Sequence, residues 1–214
     1  IKPIMKIGIT PELAEEMGVV MIKFYYLRDS KRNKIRCVRV ADITPAPENT
    51  EMYPTKPEEF EVLKDQMQKE YLKNNKIPNH TEIEVDIYSG MVWGGCQRTL
   101  VCKELGYEYI RAKPSTEIYE DLSPFERMRH IQLINLDGKR NEHSAKVKVS
   151  VWNGLEKSFL TENPSITAMR SSPRGQEIWQ EFCISRSTVP TAMGQLLQIF
   201  RLAPKYLDEI DNNK

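Results

Sequence analysis

Long apolar runs are missing from this sequence. The longest, such as Val19 to Ile22, fall far short of the roughly 18 to 20 residues that a membrane-spanning helix requires, so no membrane partner is expected. Charge of one sign is not in excess either. The chain carries 31 Lys and Arg against 30 Asp and Glu, a net charge of +1, so any electrostatic case for nucleic acid must be made from local patches. Cysteine is scarce: Cys37, Cys96, Cys102 and Cys183 form no Cys-x-x-Cys pair and have no nearby His at zinc-knuckle spacing, the pattern of a reduced, cytoplasmic protein. No secretory signal is legible. Gly-x-x-x-x-Gly-Lys-Ser/Thr, His-Glu-x-x-His and Gly-x-Ser-x-Gly are all absent, which removes the P-loop, zincin and α/β-hydrolase readings. His80, His130 and His143 lie far apart and share no metal spacing.

What is present fits a globular chain. With 214 residues, 40% apolar and 29% charged, it is long enough for one large domain or two small ones. Val19 to Leu27 and Ile35 to Val40 are β-branched and aromatic stretches around a polar turn, Asp29 to Asn33, and predict a hairpin. Asp42 to Asn49 carries two prolines and predicts an extended connection. Thr55 and Glu58 have capping-box spacing, and Phe60, Leu63, Met67 and Tyr71 repeat at helical steps behind them. Ile83, Val85 and Ile87 alternate with Glu82, Glu84 and Asp86, a strand pattern with one wet face. Arg98 to Leu105 predicts a helix capped at Gly106, and Tyr107 to Ala112 returns to strand. Beyond Pro114 the pattern is helical. Ser123, Pro124 and Glu126 open one helix, Ser144 another with Val147, Val151, Leu155 and Phe159 on a face, and two more fall near 176–183 and 188–200. A boundary near residue 118 divides an α/β part, 1–118, from a helical part, 119–214.

The stretch with most chemistry is Gly94-Gly95-Cys96-Gln97-Arg98. A strand that ends in paired glycines and opens into a helix offers backbone N–H groups and the positive end of a helix dipole to an anion, and phosphate is the natural guest. Arg98 adds a forked cation to the same oxygens. Trp93 beside the glycines reads as a buried strand residue, with cover for a nucleotide base as the alternative.

These residues resemble the ParB/sulfiredoxin superfamily, whose phosphate motif lies in such a strand-to-helix turn. Upstream, Val40 to Asn49 and the helix behind it are similar to the opening of ParB-like domains. Downstream, Leu133-Ile134-Asn135-Leu136-Asp137-Gly138-Lys139-Arg140 falls where ParB proteins carry a Glu-Asn-x-x-Arg nucleotide motif. Cys183-Ile184-Ser185-Arg186-Ser187-Thr188-Val189, with Leu196-Leu197 and Leu202-Ala203-Pro204, resembles the ParB helix-turn-helix. The similarity covers roughly residues 38 to 208. Gly94-Gly95-Cys96-Gln97-Arg98 is also close to the Gly-Gly-Cys-His-Arg turn of sulfiredoxins, with Gln97 in place of the His.

The resemblance implies an α/β (α+β) nucleotide-binding domain followed by an α-helical helix-turn-helix region. It implies nucleotide contacts from Gly94, Gly95, Cys96, Gln97, Arg98, Asn135 and Arg140, to CTP or ATP with Mg²⁺, and duplex DNA contacts from Ser185, Arg186, Ser187 and Thr188. Double-stranded DNA, the nucleotide and a second copy of the chain are the expected partners. The function implied is nucleotide-controlled DNA binding in plasmid, phage or chromosome maintenance. The alternative is a nucleotide-using enzyme of the same superfamily: a CTPase or ATPase, a phosphotransferase, a sulfinic acid reductase with Cys96 as its catalytic thiol, or a nuclease. Two basic groups are dense enough to meet a phosphate backbone: Arg170, Arg174, Arg186, Arg201 and Lys205 in the helical part, with ordinary solvated arginines on a helical bundle as the alternative, and Lys31, Arg32, Lys34, Arg36 and Arg39 in the expected hairpin, where a solvated turn is the preferred reading.

Overall fold

A computed structural model describes residues 21–79, 81–137 and 144–212. The chain packs as two compact units. The first holds the described residues up to Thr50 and Pro54–Ser123, and the second holds Glu51–Tyr53 and the described residues from Pro124 onward.

The first unit is built on a six-stranded mixed sheet. Its strands are β1 (Tyr25–Arg28), β2 (Lys34–Arg39), β3 (Thr44–Pro45), β4 (Ile83–Val85), β5 (Met91–Gly94) and β6 (Tyr109–Pro114), in the spatial order β1-β2-β6-β4-β5-β3. The expected hairpin is β1–β2, antiparallel, with Tyr26 opposite Arg36 and Arg28 opposite Lys34. Asp29 makes its turn: Oδ1 accepts from the N–H groups of Lys31 (2.9 Å) and Asn33 (2.7 Å), and Oδ2 accepts from Asn33 Nδ2 (2.8 Å).

Glu84 departs from the expected wet face of β4. That strand lies between β6 and β5, so all three of its residues are covered, and Glu84 is 9% exposed. Its carboxylate is held by Lys113 at 3.0 Å and by the Ser115 hydroxyl at 2.9 Å, the pairing that a buried charge requires. Ahead of β4, Asn79 substitutes for a strand. Its amide accepts from Arg111 N (3.0 Å) and donates to Arg111 O (3.1 Å), which satisfies the β6 backbone where no neighbour has yet begun.

Three helices accompany the sheet: α1 (Pro47–Met52), α2 (Pro57–Lys73) and α3 (Cys96–Glu104). The predicted capping box at Thr55 does not form. The N-cap is Lys56 without a side-chain bond, because Pro57 occupies the first helical position and starts the helix by its fixed φ. The predicted face of α2 holds. Met67 is buried with Val38, Ile83, Val85, Val92, Val101 and Ile110, Phe60 and Leu63 pack against that cluster, and Tyr71 stacks on Tyr107 with ring centroids 3.9 Å apart.

The second unit is helical in its described residues: α4 (Pro124–Asp137), α5 (Ala145–Glu162), α6 (Pro173–Ser185), α7 (Pro190–Leu202) and α8 (Tyr206–Asn212). Ser144 caps α5 as expected, its Oγ accepting from Val147 N at 3.1 Å. Val151, Leu155 and Phe159 are buried along α5, and Trp152 meets Trp179 (4.6 Å) and Phe182 (5.4 Å) edge to face. The apolar face predicted for α7 is narrower than the sequence suggests. Met193 and Leu197 are buried, while Val189 and Phe200 are exposed.

Candidate functional site

The turn between β5 and α3 depends on one glycine. Gly95 caps the helix in the left-handed region, φ +88, and a Cβ there would lie 2.5 Å from Ile83 Cγ2. Both facts exclude any side chain without rearrangement. At the far end of α3, Gly106 takes φ +66 and completes a Schellman motif, with Gly106 N donating to Lys103 O (3.3 Å) and Tyr107 N to Cys102 O (2.9 Å). The helix is thus fixed at both ends, and its first turn is held at the end of β5.

Within that first turn the side chains diverge. Arg98 Nη1 donates to Thr81 O at 2.6 Å, and its other terminal nitrogen stands 3.3 Å from where a Gly95 Cβ would be, so the guanidinium lies beside the glycine turn. Gln97 Nε2 donates to Thr55 Oγ1, while Gln97 Oε1 has no hydrogen-bond partner among the described residues. Cys96 points the other way. It is 4% exposed, belongs to the core cluster, and its Sγ donates to Val92 O at 3.1 Å. The thiol is thus directed into the core.

Gly94, Gly95, Gln97 and Arg98 therefore form one cluster in the first unit. First-turn N–H groups lie beyond the helix's own hydrogen-bond ladder, and the Arg98 guanidinium lies alongside them. Trp93 is fully buried, with Nε1 donating to Glu117 O (3.2 Å) and its ring tilted against Tyr119, which is the strand-packing role. Burial pushes the thiol of Cys102, later in α3, up to about 12, opposed by the charge of Arg98. Asn135 lies in α4 of the second unit, half-buried, and Arg140 lies outside the described residues. Among the described residues no group of three or more His, Cys, Asp or Glu is placed to hold a metal ion. Mg²⁺ bound through nucleotide phosphates and water requires no such cage.

The other sequence-marked cluster, Ser185 to Thr188, joins α6 to α7. It is a second Schellman turn: Ser187 N donates to Ile184 O (3.0 Å), Thr188 N to Cys183 O (2.9 Å), and Ser187 sits at φ +48. Arg186 was expected to meet DNA, but it is 1% exposed and donates from Nη2 to Tyr53 Oη at 2.7 Å. Its guanidinium also lies 5.7 Å from the Phe182 ring. Arg186 is thus an anchor inside the unit. Ser185 turns its hydroxyl back onto Phe182 O (2.9 Å). Ser187 is exposed and Thr188 half-exposed, and the exposed face of α7 adds Thr191, Gln195 and Gln198. Sequence reading passed over these three. Their signal was the polar i, i+4, i+7 spacing opposite Met193 and Leu197.

No family model matches the chain, and no curated protein sequence matches it. Among the described residues no helix is long and apolar enough to cross a membrane. The chain superposes on a solved structure described as the C2221 form of a Pnob8-like ParB-N domain, with a TM-score of 0.53 over 89% of this chain and 75% of that one, at 12% sequence identity. The chain therefore has a fold similar to that of a ParB-N domain.

Proposed function

We propose that the chain is a ParB-like, nucleotide-responsive DNA-binding protein. Its first unit takes the phosphates of a nucleoside triphosphate over Gly94 and Gly95, with Arg98 as the charged contact and Mg²⁺ carried in by the phosphates. By its resemblance to ParB proteins and sulfiredoxins the nucleotide is CTP or ATP. In the second unit α6, its Schellman turn and α7 act as a helix-turn-helix, with α7 entering the major groove of duplex DNA. Ser187 and Thr188 meet backbone phosphates and Thr191, Gln195 and Gln198 face base edges, residue types suited to both tasks. Arg186 acts as a positioning residue that holds the turn from within.

The observation that carries this reading is the left-handed Gly95 turn with the Arg98 guanidinium beside it, on a fold similar to a ParB-N domain. The test is duplex binding by fluorescence anisotropy at low salt, with and without CTP or ATP and Mg²⁺. Binding whose affinity or sequence preference changes with nucleotide supports the proposal. A chain that binds no duplex under any of these conditions refutes it.

A further inference from the structure

The β1–β2 hairpin carries a charge concentration that the nucleotide turn and the α6–α7 pair leave unused. Residues 21–39 hold seven Lys and Arg and one acid, in a chain whose net charge is +1. That acid, Asp29, is occupied in closing the turn through three hydrogen bonds. Arg28, Lys31, Arg32, Lys34 and Arg39 are exposed, and none of them forms an ion pair among the described residues. An edge strand gains protection against stray pairing from one or two lysines. The density here is greater than that purpose needs.

These cations are also placed in advance. Arg28 Nη1 donates to Arg32 O (2.8 Å), Arg36 Nε donates to Ala112 O (3.2 Å), and Lys34 Nζ sits 4.2 Å from the centroid of the Tyr26 ring. The turn is tied to the end of α2, where Asn75 Nδ2 donates to Arg28 O (2.6 Å) and Ser30 Oγ to Asn74 Oδ1 (3.3 Å). A rigid ribbon with ordered cations loses little conformational freedom when it meets a regular array of anions. The repeating anion that fits is the phosphate backbone of a nucleic acid.

We propose that the hairpin, through Lys31, Arg32 and Lys34 with Arg28 and Arg36 behind them, is a second, sequence-independent contact to the phosphate backbone of duplex DNA. It rests on the proposal that the chain binds duplex DNA, though not on α6 and α7. Neutralising the tip (Lys31→Gln, Arg32→Gln, Lys34→Gln) in the full chain removes up to three phosphate contacts. The slope of log affinity against log salt then becomes shallower by about 2 to 3, and affinity for a random 20-base-pair duplex falls at least about tenfold at 0.1 M salt. Lys31→Arg with Lys34→Arg keeps the wild-type slope.

In α7, Gln195→Ala with Gln198→Ala reduces discrimination between duplex sequences and leaves the slope in place, so failure of the hairpin contact and failure of the helix-turn-helix reading give different results. The proposal is overturned if the neutralised chain keeps the wild-type affinity and slope. An unchanged slope accompanied by new aggregation assigns the cations to edge protection and overturns it as well. Binding of polyglutamate instead of duplex, lost in the same variant, overturns it in favour of an acidic protein partner.

Discussion

Replacing Gly95 with Ala tests whether the β5–α3 turn is built as described. Two costs add. A non-glycine residue in the left-handed region costs about 1 to 2 kcal/mol, and Gly95 stands at φ +88. The new Cβ would lie 2.5 Å from Ile83 Cγ2 and 3.1 Å from Ile83 Cβ. Ile83 is fully buried against the cluster under α2 and α3, so it has little room to retreat. Overpacking of this kind adds about 1 to 3 kcal/mol. The sum, about 2 to 5 kcal/mol, is a large part of the 5 to 15 kcal/mol typical of a folded domain.

Urea denaturation gives the total, and hydrogen exchange of peptides spanning residues 91–104 assigns the loss to the first unit. The contact part can be isolated. In an Ile83→Ala background the Cγ2 methyl is gone while the Cβ at 3.1 Å stays, so Gly95→Ala should cost its backbone share plus a smaller contact, a coupling of up to about 1 to 3 kcal/mol. A loss below about 1 kcal/mol in the single variant, or no coupling in the double one, would refute the packing argument.

Three other outcomes are expected. Tyr53→Phe removes one acceptor of the buried Arg186 guanidinium and should destabilise the second unit by about 1.5 to 3 kcal/mol; an unchanged urea midpoint would mean that the Tyr53 bond is not what anchors Arg186. Cys96→Ser retains a small donor toward Val92 O, so nucleotide and DNA affinity should stay within about twofold; loss of a nucleotide-dependent turnover with binding intact would favour the enzyme reading. Burial pushes the thiols of Cys37 and Cys102 up from 9.0 to about 11 and about 12. Above pH 9 the unfolded chain therefore releases protons that the fold retains, and stability should fall as pH rises from about 9 toward 11 to 12. A Cys37→Ala/Cys102→Ala variant that shows the same alkaline drop as wild type would contradict this origin.

Local pattern explains which parts of the fold were legible. The hairpin, the α2 face, the Ser144 cap and the Gly106 helix end each follow from a few neighbouring residues, and each appears in the structure. What escaped depends on distant partners. Glu84 read as solvent-facing because alternation reports one face, whereas its burial comes from Lys113 and Ser115 across the sheet. Arg186 read as a DNA contact because its turn resembles the ParB helix-turn-helix, and Tyr53, more than a hundred residues earlier, has no local sign of being its partner. At the candidate site Gly95 and Arg98 were legible from the strand-to-helix pattern. The inward aim of Cys96 and the link from Gln97 to Thr55 were not, since both are set by how the turn meets the core.

Phosphate recognition by the Gly95–Arg98 turn is tested by calorimetric titration of CTP, ATP, GTP and ADP with and without Mg²⁺. The prediction is that one triphosphate, CTP or ATP by the resemblance, binds the wild-type chain, and that Arg98→Ala, by removing a charge-assisted contact of about 1.5 to 3 kcal/mol, weakens it roughly tenfold or more. Binding that Arg98→Ala leaves unchanged, or no binding by any of the four nucleotides, would contradict the claim.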